Sequence, residues 1–256
     1  MRIIRYQSAS QPAAFGWVKE NKIGKIEGSP FAQFSREQAD IELESVILLP
    51  PVVPSKIVCV GRNYAAHAAE HDAEVPEVPL IFLKPPSTVI PHGGTIYLPP
   101  QSKRVEHEAE LAVVIGKTGR WISPDEAQDF IFGFTIANDV SARDLQFQDG
   151  QWTRGKGFDT FCPLGPWIET DFDPSDAVIT CHVNEEIRQM ASTRDMVFNV
   201  KQLIAYASSV MTLFPGDLLL TGTPAGVNTL QDGDVVEVAI EGIGTLRNEV
   251  AEEPAH

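Results

Sequence analysis

Residues 106–116 read EHEAELAVVIG, and this stretch decides how the fold is predicted. Polar and apolar residues alternate here, which is typical of a β-strand because successive side chains of a strand point to opposite faces. The alternation places His107 on an inner face with the apolar residues Val105, Ala109, Leu111, Val113 and Ile115. It places Glu106, Glu108 and Glu110 together on the other face. We therefore predict a strand over 105–115 that carries three carboxylates in a row.

Two interpretations of these glutamates follow from their charge. Side chains on one face of a strand lie roughly 7 Å apart, so neighbouring carboxylates repel each other. A hard divalent cation between two of them would remove that repulsion, since carboxylate oxygens suit Mg²⁺, Mn²⁺ or Ca²⁺. The alternative is the outer face of an antiparallel strand, on which water screens the charges. The segment alone leaves both interpretations open.

The segments around this strand contain more strands than helices. Strands are predicted at 2–6, 15–19, 46–49, 56–60, 80–84, 95–98, 132–140, 218–221, 234–240 and 244–250. Helices are predicted at 63–71, from the capping sequence at 123–126, and over 200–211, where apolar residues recur at helical spacing. This balance predicts a β-rich α+β fold and not a doubly wound sheet.

Three prolines, Pro50, Pro51 and Pro54, divide the sequence into two parts. Successive prolines favour extended backbone and cannot lie inside a helix. We therefore predict a small N-terminal β-rich unit over 1–53 and a larger domain over 54–256.

Composition excludes several classes of function. The 256 residues include 35 acidic and 20 basic ones, and the net charge of −15 repels nucleic-acid phosphates. Three widely separated cysteines, Cys59, Cys162 and Cys181, form neither a disulfide framework nor a CxxC metal site. No apolar stretch reaches the roughly 18 residues of a membrane helix, and residues 1–10 lack the apolar core of a secretion signal. A cytoplasmic protein without membrane or nucleic-acid partners is expected.

Three more segments carry polar groups that chemistry could use. Asp139 ends the strand predicted at 132–140, where it could complete a three-oxygen metal site or, with Asn138, cap a helix near Ser141. Lys156 lies between two glycines and could balance a carboxylate or an enolate, or be solvated. Thr223 lies in the turn GTPAG and could present its hydroxyl to an anion, or belong only to a turn.

A histidine and a glutamate lie on the short helix predicted at 63–71. His67 and Glu70 are three residues apart, so a helix places them on one face. A carboxylate that holds a histidine fixes its tautomer and raises its basicity. The alternative is an incidental pair on a surface helix.

Six segments in this order resemble the fumarylacetoacetate hydrolase family. They are VGRNYAAHAAE, FLKPPS, EHEAELAVVIG, ANDVSARD, KGFDTFCPLGP and LTGTPAGV, and the resemblance extends from about residue 58 to residue 250. Each motif is weak alone, but six in register make a specific match. The resemblance implies a mixed β-roll of the family's C-terminal domain type, preceded here by the small N-terminal β unit, and a homodimer.

The resemblance also assigns roles to residues of this sequence. It implies that Glu108, Glu110 and Asp139 bind the metal, with Glu106 behind them and not a ligand. It implies that His67, Glu70 and Lys156 are catalytic, the first two on a lid that orders when ligand binds. Its substrate-binding positions fall on Arg62, Tyr64, Gln146 and Thr223.

The implied chemistry starts from a 2-oxo acid that chelates Mg²⁺, or Mn²⁺, with Ca²⁺ as a substitute in crystals. Our first prediction is a hydrolase or decarboxylase that cleaves a C–C bond of an acylpyruvate or oxaloacetate and leaves a pyruvate enolate, which Lys156 and the metal stabilise. The alternative is an isomerase of 2-hydroxyhepta-2,4-diene-1,7-dioate in aromatic catabolism. A metal-dependent binding protein without turnover is a third interpretation.

Overall fold

The N-terminal part of the chain is a small antiparallel β unit. The computed structural model describes residues 1–8 and 12–254, and its first strands are β1 (Arg2–Gln7), β2 (Ala14–Lys19), β3 (Lys22–Gly28), β4 (Phe34–Glu42) and β5 (Ile47–Leu49). The strands predicted at 2–6, 15–19 and 46–49 are confirmed. Sequence patterning does not predict β4, because this edge strand is mostly exposed and needs no alternating apolar face.

The rest of the described chain adds many strands and few helices. It continues with β6 (Ile57–Gly61), α1 (Ala65–Glu70), β7 (Leu80–Lys84), β8 (Val89–Pro91), β9 (Thr95–Leu98), β10 (Val105–Glu106), β11 (Ala109–Ile115), β12 (Ile131–Asn138), β13 (Ser141–Ala142), α2 (Arg143–Asp149), α3 (Thr153–Lys156) and β14 (Cys162–Glu169). It ends with β15 (Val178–Val183), β16 (Glu186–Ser192), α4 (Val200–Val210), β17 (Leu218–Leu220), β18 (Val235–Ile240) and β19 (Gly244–Glu252). This content confirms the β-rich α+β class.

Two large sheets contain all of these strands except β10 and β13, which pair with each other. A twelve-stranded sheet runs in the order β4-β3-β2-β1-β14-β12-β11-β17-β6-β7, with β5 beside β1 and β8 beside β14. A five-stranded sheet runs β16-β15-β18-β19-β9, and buried side chains from both sheets form one hydrophobic core. Because β1 pairs with β14, the N-terminal strands continue the large sheet. The mixture of parallel and antiparallel pairs fits a mixed β-roll with a small N-terminal β unit.

Helix α4 confirms the helix predicted over 200–211. Its capping residue Asn199 accepts a hydrogen bond from the Gln202 backbone N–H at 3.1 Å, and the Gln202 side chain accepts one from the Asn199 N–H at 2.9 Å. This reciprocal pair satisfies two backbone donors that a helix start leaves unpaired. The apolar face buries Val200, Leu203, Ile204 and Ala207.

The continuous strand predicted over 105–115 is wrong in one respect, because it breaks at His107 and Glu108. β10 pairs with β13, whereas β11 starts at Ala109 and pairs with β12 and β17. At the break, the Glu108 N–H donates to the side chain of Asn138 at 2.8 Å, and the Ala109 N–H donates to the side chain of Gln189 at 3.0 Å. Side-chain acceptors have replaced strand partners there.

The predicted helix after Ser123 is also wrong. The Ser123 hydroxyl does donate to Glu126 Oε2 at 2.6 Å, so the capping contact forms. Only a turn and a short 3₁₀ helix, Ala127–Phe130, follow before β12 begins at Ile131. The start of the strand leaves no length for further helical turns.

Among the described residues, no helix is long and apolar enough to cross a membrane. The three cysteines are buried and free of disulfide bonds. Cys59 lies on β6 and Cys162 on β14, both in the large sheet, whereas Cys181 lies on β15 in the smaller one.

Candidate active site

Three carboxylates meet where β11 starts and β12 ends. Glu108 precedes β11, Glu110 lies on it, and Asp139 directly follows β12. The two strands are antiparallel neighbours, and the Asp139 N–H donates to the Glu108 carbonyl at 2.9 Å. One carboxylate oxygen from each residue lies within 4.8 Å of the others, and all three side chains are buried. The sheet therefore brings together the three residues that the sequence assigns to a metal.

Two buried lysines neutralise part of this negative charge. Lys156 Nζ, at the end of α3, donates to Glu108 Oε2 at 2.7 Å and to Asp139 Oδ2 at 2.8 Å. Lys84 Nζ, at the end of β7, donates to Asp139 Oδ1 at 2.6 Å. The lysines are only 2% and 1% exposed, and buried charges of this kind are stable only when they are paired.

Glu106 lies outside the three-carboxylate cluster. Its carboxylate accepts hydrogen bonds from Arg104 Nε at 2.6 Å and from Arg143 Nε at 2.7 Å. The Arg143 guanidinium also donates to Glu108, so it links the two glutamates. Glu106 thus positions Arg143, which contacts the cluster through Glu108, and the Glu106 oxygens face arginine side chains and not the cluster.

The surroundings shift the pKa values of these groups in opposite directions. Burial raises the pKa of Glu108, but attraction to Lys156 and Arg143 outweighs burial and holds it below its usual range. Burial and the nearby charges of Asp139 and Glu108 raise the pKa of Glu110 well above its usual range. Burial lowers the pKa of Lys156, yet Asp139 and Glu108 outweigh it and the net shift is upward. Glu110 is therefore the carboxylate whose charge is least compensated by the protein.

This donor set fits a hard divalent cation. All three groups offer carboxylate oxygens, which Mg²⁺ and Mn²⁺ prefer over nitrogen or sulfur. Converging buried carboxylates repel one another, and a cation between them would lower that cost. Three protein ligands also leave coordination positions for a substrate.

A histidine faces the same cavity from α1. His67 is 6% exposed, and its Nδ1 lies 3.3 Å from Glu70 Oε2. Both Glu70 oxygens in turn accept the Gly226 N–H, at 3.1 and 3.2 Å. Burial lowers the pKa of His67, and the opposing attraction of Glu108 does not restore it, so the ring is neutral near pH 7. Its low exposure excludes the incidental surface pair.

These groups line one cavity of about 260 Å³. His67, Lys156 and the three carboxylates line it together with Arg62, Gln146, Phe147, Trp152 and Thr223. Of the predicted substrate-binding residues, Arg62, Gln146 and Thr223 are therefore brought to the cavity. Tyr64 lies outside this lining, and its hydroxyl is buried without a hydrogen-bond partner among the described residues.

The turn that carries Thr223 is held by a residue that sequence reasoning missed. Gln189 Nε2 donates to Thr223 Oγ1 at 2.8 Å and to the Pro224 carbonyl at 2.7 Å. Its Oε1 accepts from the Ala109 N–H at 3.0 Å and lies 3.0 Å from His107 Nδ1. The Thr223 hydroxyl donates to the Ala109 carbonyl at 2.9 Å. One buried amide thus joins β16, the start of β11 and the turn.

Lys84 and Arg143 were also missed, although both lie in motifs that the sequence analysis quotes, FLKPPS and ANDVSARD. Their pairing with Asp139 and Glu108 is not visible in either motif alone. No sequence signal identifies Gln189, because its four partners come from two other segments, at residues 107–109 and 223–224.

Burial and hydrogen bonding exclude several non-functional interpretations of these residues. Glu108 and Glu110 do not lie on a solvated face, and Lys156 is not a solvated loop lysine. Asn138 does not cap α2, because its side chain binds the Glu108 N–H and α2 has no side-chain cap. The Thr223 turn does more than reverse the chain, since the Gly222 N–H donates to Glu110 Oε2 at 2.7 Å.

Comparison with known proteins gives the same family along most of the chain. The family described as fumarylacetoacetate (FAA) hydrolase C-terminal matches residues 56–251, and the one described as Rv2993c-like, N-terminal, matches residues 1–51. Oxaloacetate tautomerase Fahd2a, mitochondrial, of Rattus norvegicus is 47% identical over 222 residues, which cover 82% of this chain and 71% of that protein.

Solved structures agree over the whole length. The 2-hydroxyhepta-2,4-diene-1,7-dioate isomerase of Mycobacterium marinum superposes with a TM-score of 0.92 at 44% identity and covers 100% of both chains. Maleylpyruvate hydrolase of Sphingobium sp. SYK-6, solved with manganese(II) and pyruvate, superposes with a TM-score of 0.82 at 31% identity and covers 99% of this chain and 100% of its own. A family match over 56–251 and relatives this similar establish that the chain belongs to the fumarylacetoacetate hydrolase family.

Proposed function

We propose that this chain is a divalent-metal-dependent enzyme that cleaves a C–C bond of a small 2-oxo acid by hydrolysis or decarboxylation. One observation carries the proposal: a buried carboxylate cluster, a buried lysine and a neutral histidine open onto one cavity of about 260 Å³. Such a cavity suits an acylpyruvate or oxaloacetate.

Glu108, Glu110 and Asp139 would hold the cation, with Mg²⁺ or Mn²⁺ favoured by their oxygen donors. A cation held there would supply positive charge opposite the negative charge that develops on the keto oxygen of the substrate. The protein's own Lys156 ammonium reinforces this effect, because it lies against Glu108 and Asp139 at the floor of the cavity. Such preorganised charge lowers the barrier most when it faces charge that develops in the transition state.

Three side chains of the cavity lining would bind and orient the acid. Arg62 offers a guanidinium to a carboxylate, and such a contact is bidentate when the geometry allows it. Gln146 lies 5% exposed beside Arg143, which donates to its Oε1 at 2.5 Å and so turns the amide nitrogen away from that arginine. The hydroxyl of Thr223 accepts from Gln189 and donates to the Ala109 carbonyl, so it would exchange the Ala109 carbonyl for a substrate oxygen when the acid binds.

His67 would move the proton. Its Nδ1 faces Glu70, so Nε2 is the nitrogen that accepts a proton from water as that water attacks the distal carbonyl. The bond between that carbonyl and the pyruvate part then breaks, its electron pair passes to the pyruvate part, and the proton held by His67 is returned to the carbon that carried the bond. Decarboxylation requires no attacking water. The C–C bond to the carboxylate breaks, CO₂ departs, and only the negative charge left on the pyruvate part must be stabilised.

A second candidate is tautomerisation or isomerisation of a 2-oxo or 2-hydroxydienoic acid. The names of the rat and Mycobacterium marinum relatives favour it, at 47% and 44% identity. The same His67 would then carry a proton between two substrate atoms, and no water would be consumed. Both candidates use the same cavity and differ in the proton's source.

A substrate panel separates the candidates. Purified protein with Mg²⁺ or Mn²⁺ is assayed for hydrolysis of acylpyruvates, decarboxylation and enol–keto conversion of oxaloacetate, and isomerisation of the dienoate. Cleavage faster than conversion supports the first candidate, and conversion without cleavage supports the second. Turnover that persists after the metal is removed by chelation and dialysis would contradict both.

A further inference from the structure

A second group of metal-binding side chains, apart from the three carboxylates, lies on α1 and on His71, the residue that directly follows this helix. His67, Glu70 and His71 each place one ligand atom within 4.8 Å of the other two. The two histidines are four residues apart and therefore one helical turn apart. In several metallohydrolases two histidines at this helical spacing bind zinc, while the glutamate between them acts as a base; here the glutamate oxygen lies close enough to join the histidines.

The state of His71 is compatible with a metal ligand. Its Nε2 is buried and has no hydrogen-bond partner among the described residues, although buried polar atoms usually have one. Burial, and next the charge of Arg143, lower the pKa of His71, so the ring is neutral near pH 7. Only the neutral ring has a lone pair for a metal. Its ring lies edge-on to that of His67, with centroids 4.7 Å apart.

We propose that His67, Glu70 and His71 form a zinc-binding site whose occupation inhibits the enzyme. Two imidazoles and one carboxylate match Zn²⁺, which takes nitrogen ligands at about 2.0–2.1 Å and leaves a fourth position to water. Mg²⁺ prefers oxygen ligands, so two histidines disfavour it at this site, whereas the carboxylate cluster accepts it. Side-chain rotation must bring the three ligand atoms closer than their present separation.

Inhibition follows from the single lone pair of a neutral imidazole. If zinc binds Nδ1 of His67, the ring proton stays on Nε2. If zinc binds Nε2, that nitrogen is blocked directly. In both cases His67 can no longer accept a proton. The inhibitory half of the inference rests on the proposed function of His67, whereas the binding half does not.

The test is a zinc titration of the full chain by calorimetry with Mg²⁺ present at saturation. We expect one Zn²⁺ per chain, and an affinity at least about tenfold weaker in His71→Gln, since even outer partners of metal ligands are worth that much. His182→Gln, a histidine on β15 outside the group, is the matched control and keeps the affinity of the unmodified chain. Equal zinc affinity in His71→Gln and in the unmodified chain would overturn the proposal. Loss of zinc binding in Glu110→Gln, with binding retained in His71→Gln, would also overturn it, because zinc would then occupy the carboxylate cluster.

Two further measurements keep the result decisive. Co²⁺ bound to the unmodified Mg²⁺-saturated chain should show the intense visible bands of a four-coordinate site with nitrogen ligands, and weak octahedral bands would contradict the assignment even if His71→Gln fails to fold. Turnover at increasing Zn²⁺, normalised to each variant's zinc-free rate, should fall in the unmodified chain and fall less in His71→Gln. Zinc that binds without slowing turnover would remove the inhibitory role. Absence of turnover on every substrate would refute the proposed function and leave the calorimetric result standing.

Discussion

The carboxylate cluster and the helix that faces it are built in different ways. Glu108, Glu110 and Asp139 lie at the ends of β11 and β12, which have paired neighbours on both sides in the large sheet. His67 and Glu70 lie on α1, which has only six residues and no side-chain cap. Isolated helices below roughly 12–15 residues are marginal in water, so α1 depends on its contacts. The sheet holds the three charges close together, whereas the short helix carries the histidine that we propose as the base.

The largest effect is expected at the sheet. Glu110→Gln keeps an acceptor for the Gly222 N–H but removes one carboxylate of the cluster, so divalent-cation affinity should fall by more than about a hundredfold. The metal-free variant should melt at or above the temperature of the unmodified chain, because burial disfavours the charge of Glu110. Calorimetry with Mn²⁺ and thermal melts measure the two quantities. Unchanged affinity would remove Glu110 from the ligand set.

Removing the proposed base, His67, should slow hydrolysis and leave the cation affinity unchanged. His67→Ala should slow acylpyruvate hydrolysis by roughly two to four powers of ten, the usual effect of losing a general base, with cation affinity retained. Oxaloacetate decarboxylation should slow less, since it needs no activated water. Ala66→Ser, exposed on the same helix, is the matched control. Unchanged hydrolysis in His67→Ala would move the assignment to the isomerase candidate.

Variants of Glu70 test the two contacts of this residue, with His67 and with the Gly226 N–H. Glu70→Gln keeps an oxygen for the Gly226 N–H and loses the charge that orients His67, so hydrolysis should slow by only about tenfold. Glu70→Ala loses both contacts and should slow hydrolysis further. Steady-state kinetics of the two variants separate orientation from tethering. Equal rates in both would show that the Gly226 contact contributes nothing.

Gln189 provides a test from the other side of the cavity. Gln189→Met removes hydrogen bonds to Thr223, Pro224 and Ala109, and each buried group left unpaired costs about 1–3 kcal/mol. We expect a lower melting temperature, and KM should rise more than kcat falls if Thr223 binds substrate. Gln189→Glu retains the Oε1 contact to Ala109 but turns a carboxylate oxygen toward the Pro224 carbonyl, so it should not recover the stability. A variant with normal KM would limit Gln189 to a structural role.

The pH profile should report the environment of α1. His67 must be neutral to accept a proton, so hydrolysis should fall as pH drops through its pKa. Burial lowers that pKa below the ordinary 6.5, and the acid limb of kcat/KM should therefore have its midpoint below pH 6.5. Rates measured between pH 4 and 8 check this. A midpoint above 6.5 would contradict a neutral buried histidine.

Local patterns in the sequence predict much of the frame and the cluster, but not the contacts that connect them. Alternation identified the strand around Leu111, and the family motifs identified Glu110, Asp139 and Lys156. The break at His107 escaped prediction because the acceptors that replace the strand partners lie far along the chain, on Asn138 and, 80 residues beyond Ala109, on Gln189. Lys84 escaped for the same reason, since its partner Asp139 lies 55 residues further along the chain. Such contacts depend on which distant segments the fold brings together, and the spacing of apolar residues along the sequence does not predict that.

The reactivity of the three buried cysteine thiols reports local unfolding of the two sheets. Burial raises the pKa of Cys162 to about 12 and shifts those of Cys59 and Cys181 upward as well, so none reacts readily while its sheet is closed. Two thiols belong to the large sheet and one to the smaller sheet. The order in which an alkylating reagent labels them in mild denaturant therefore reveals whether the two sheets come apart together or one before the other.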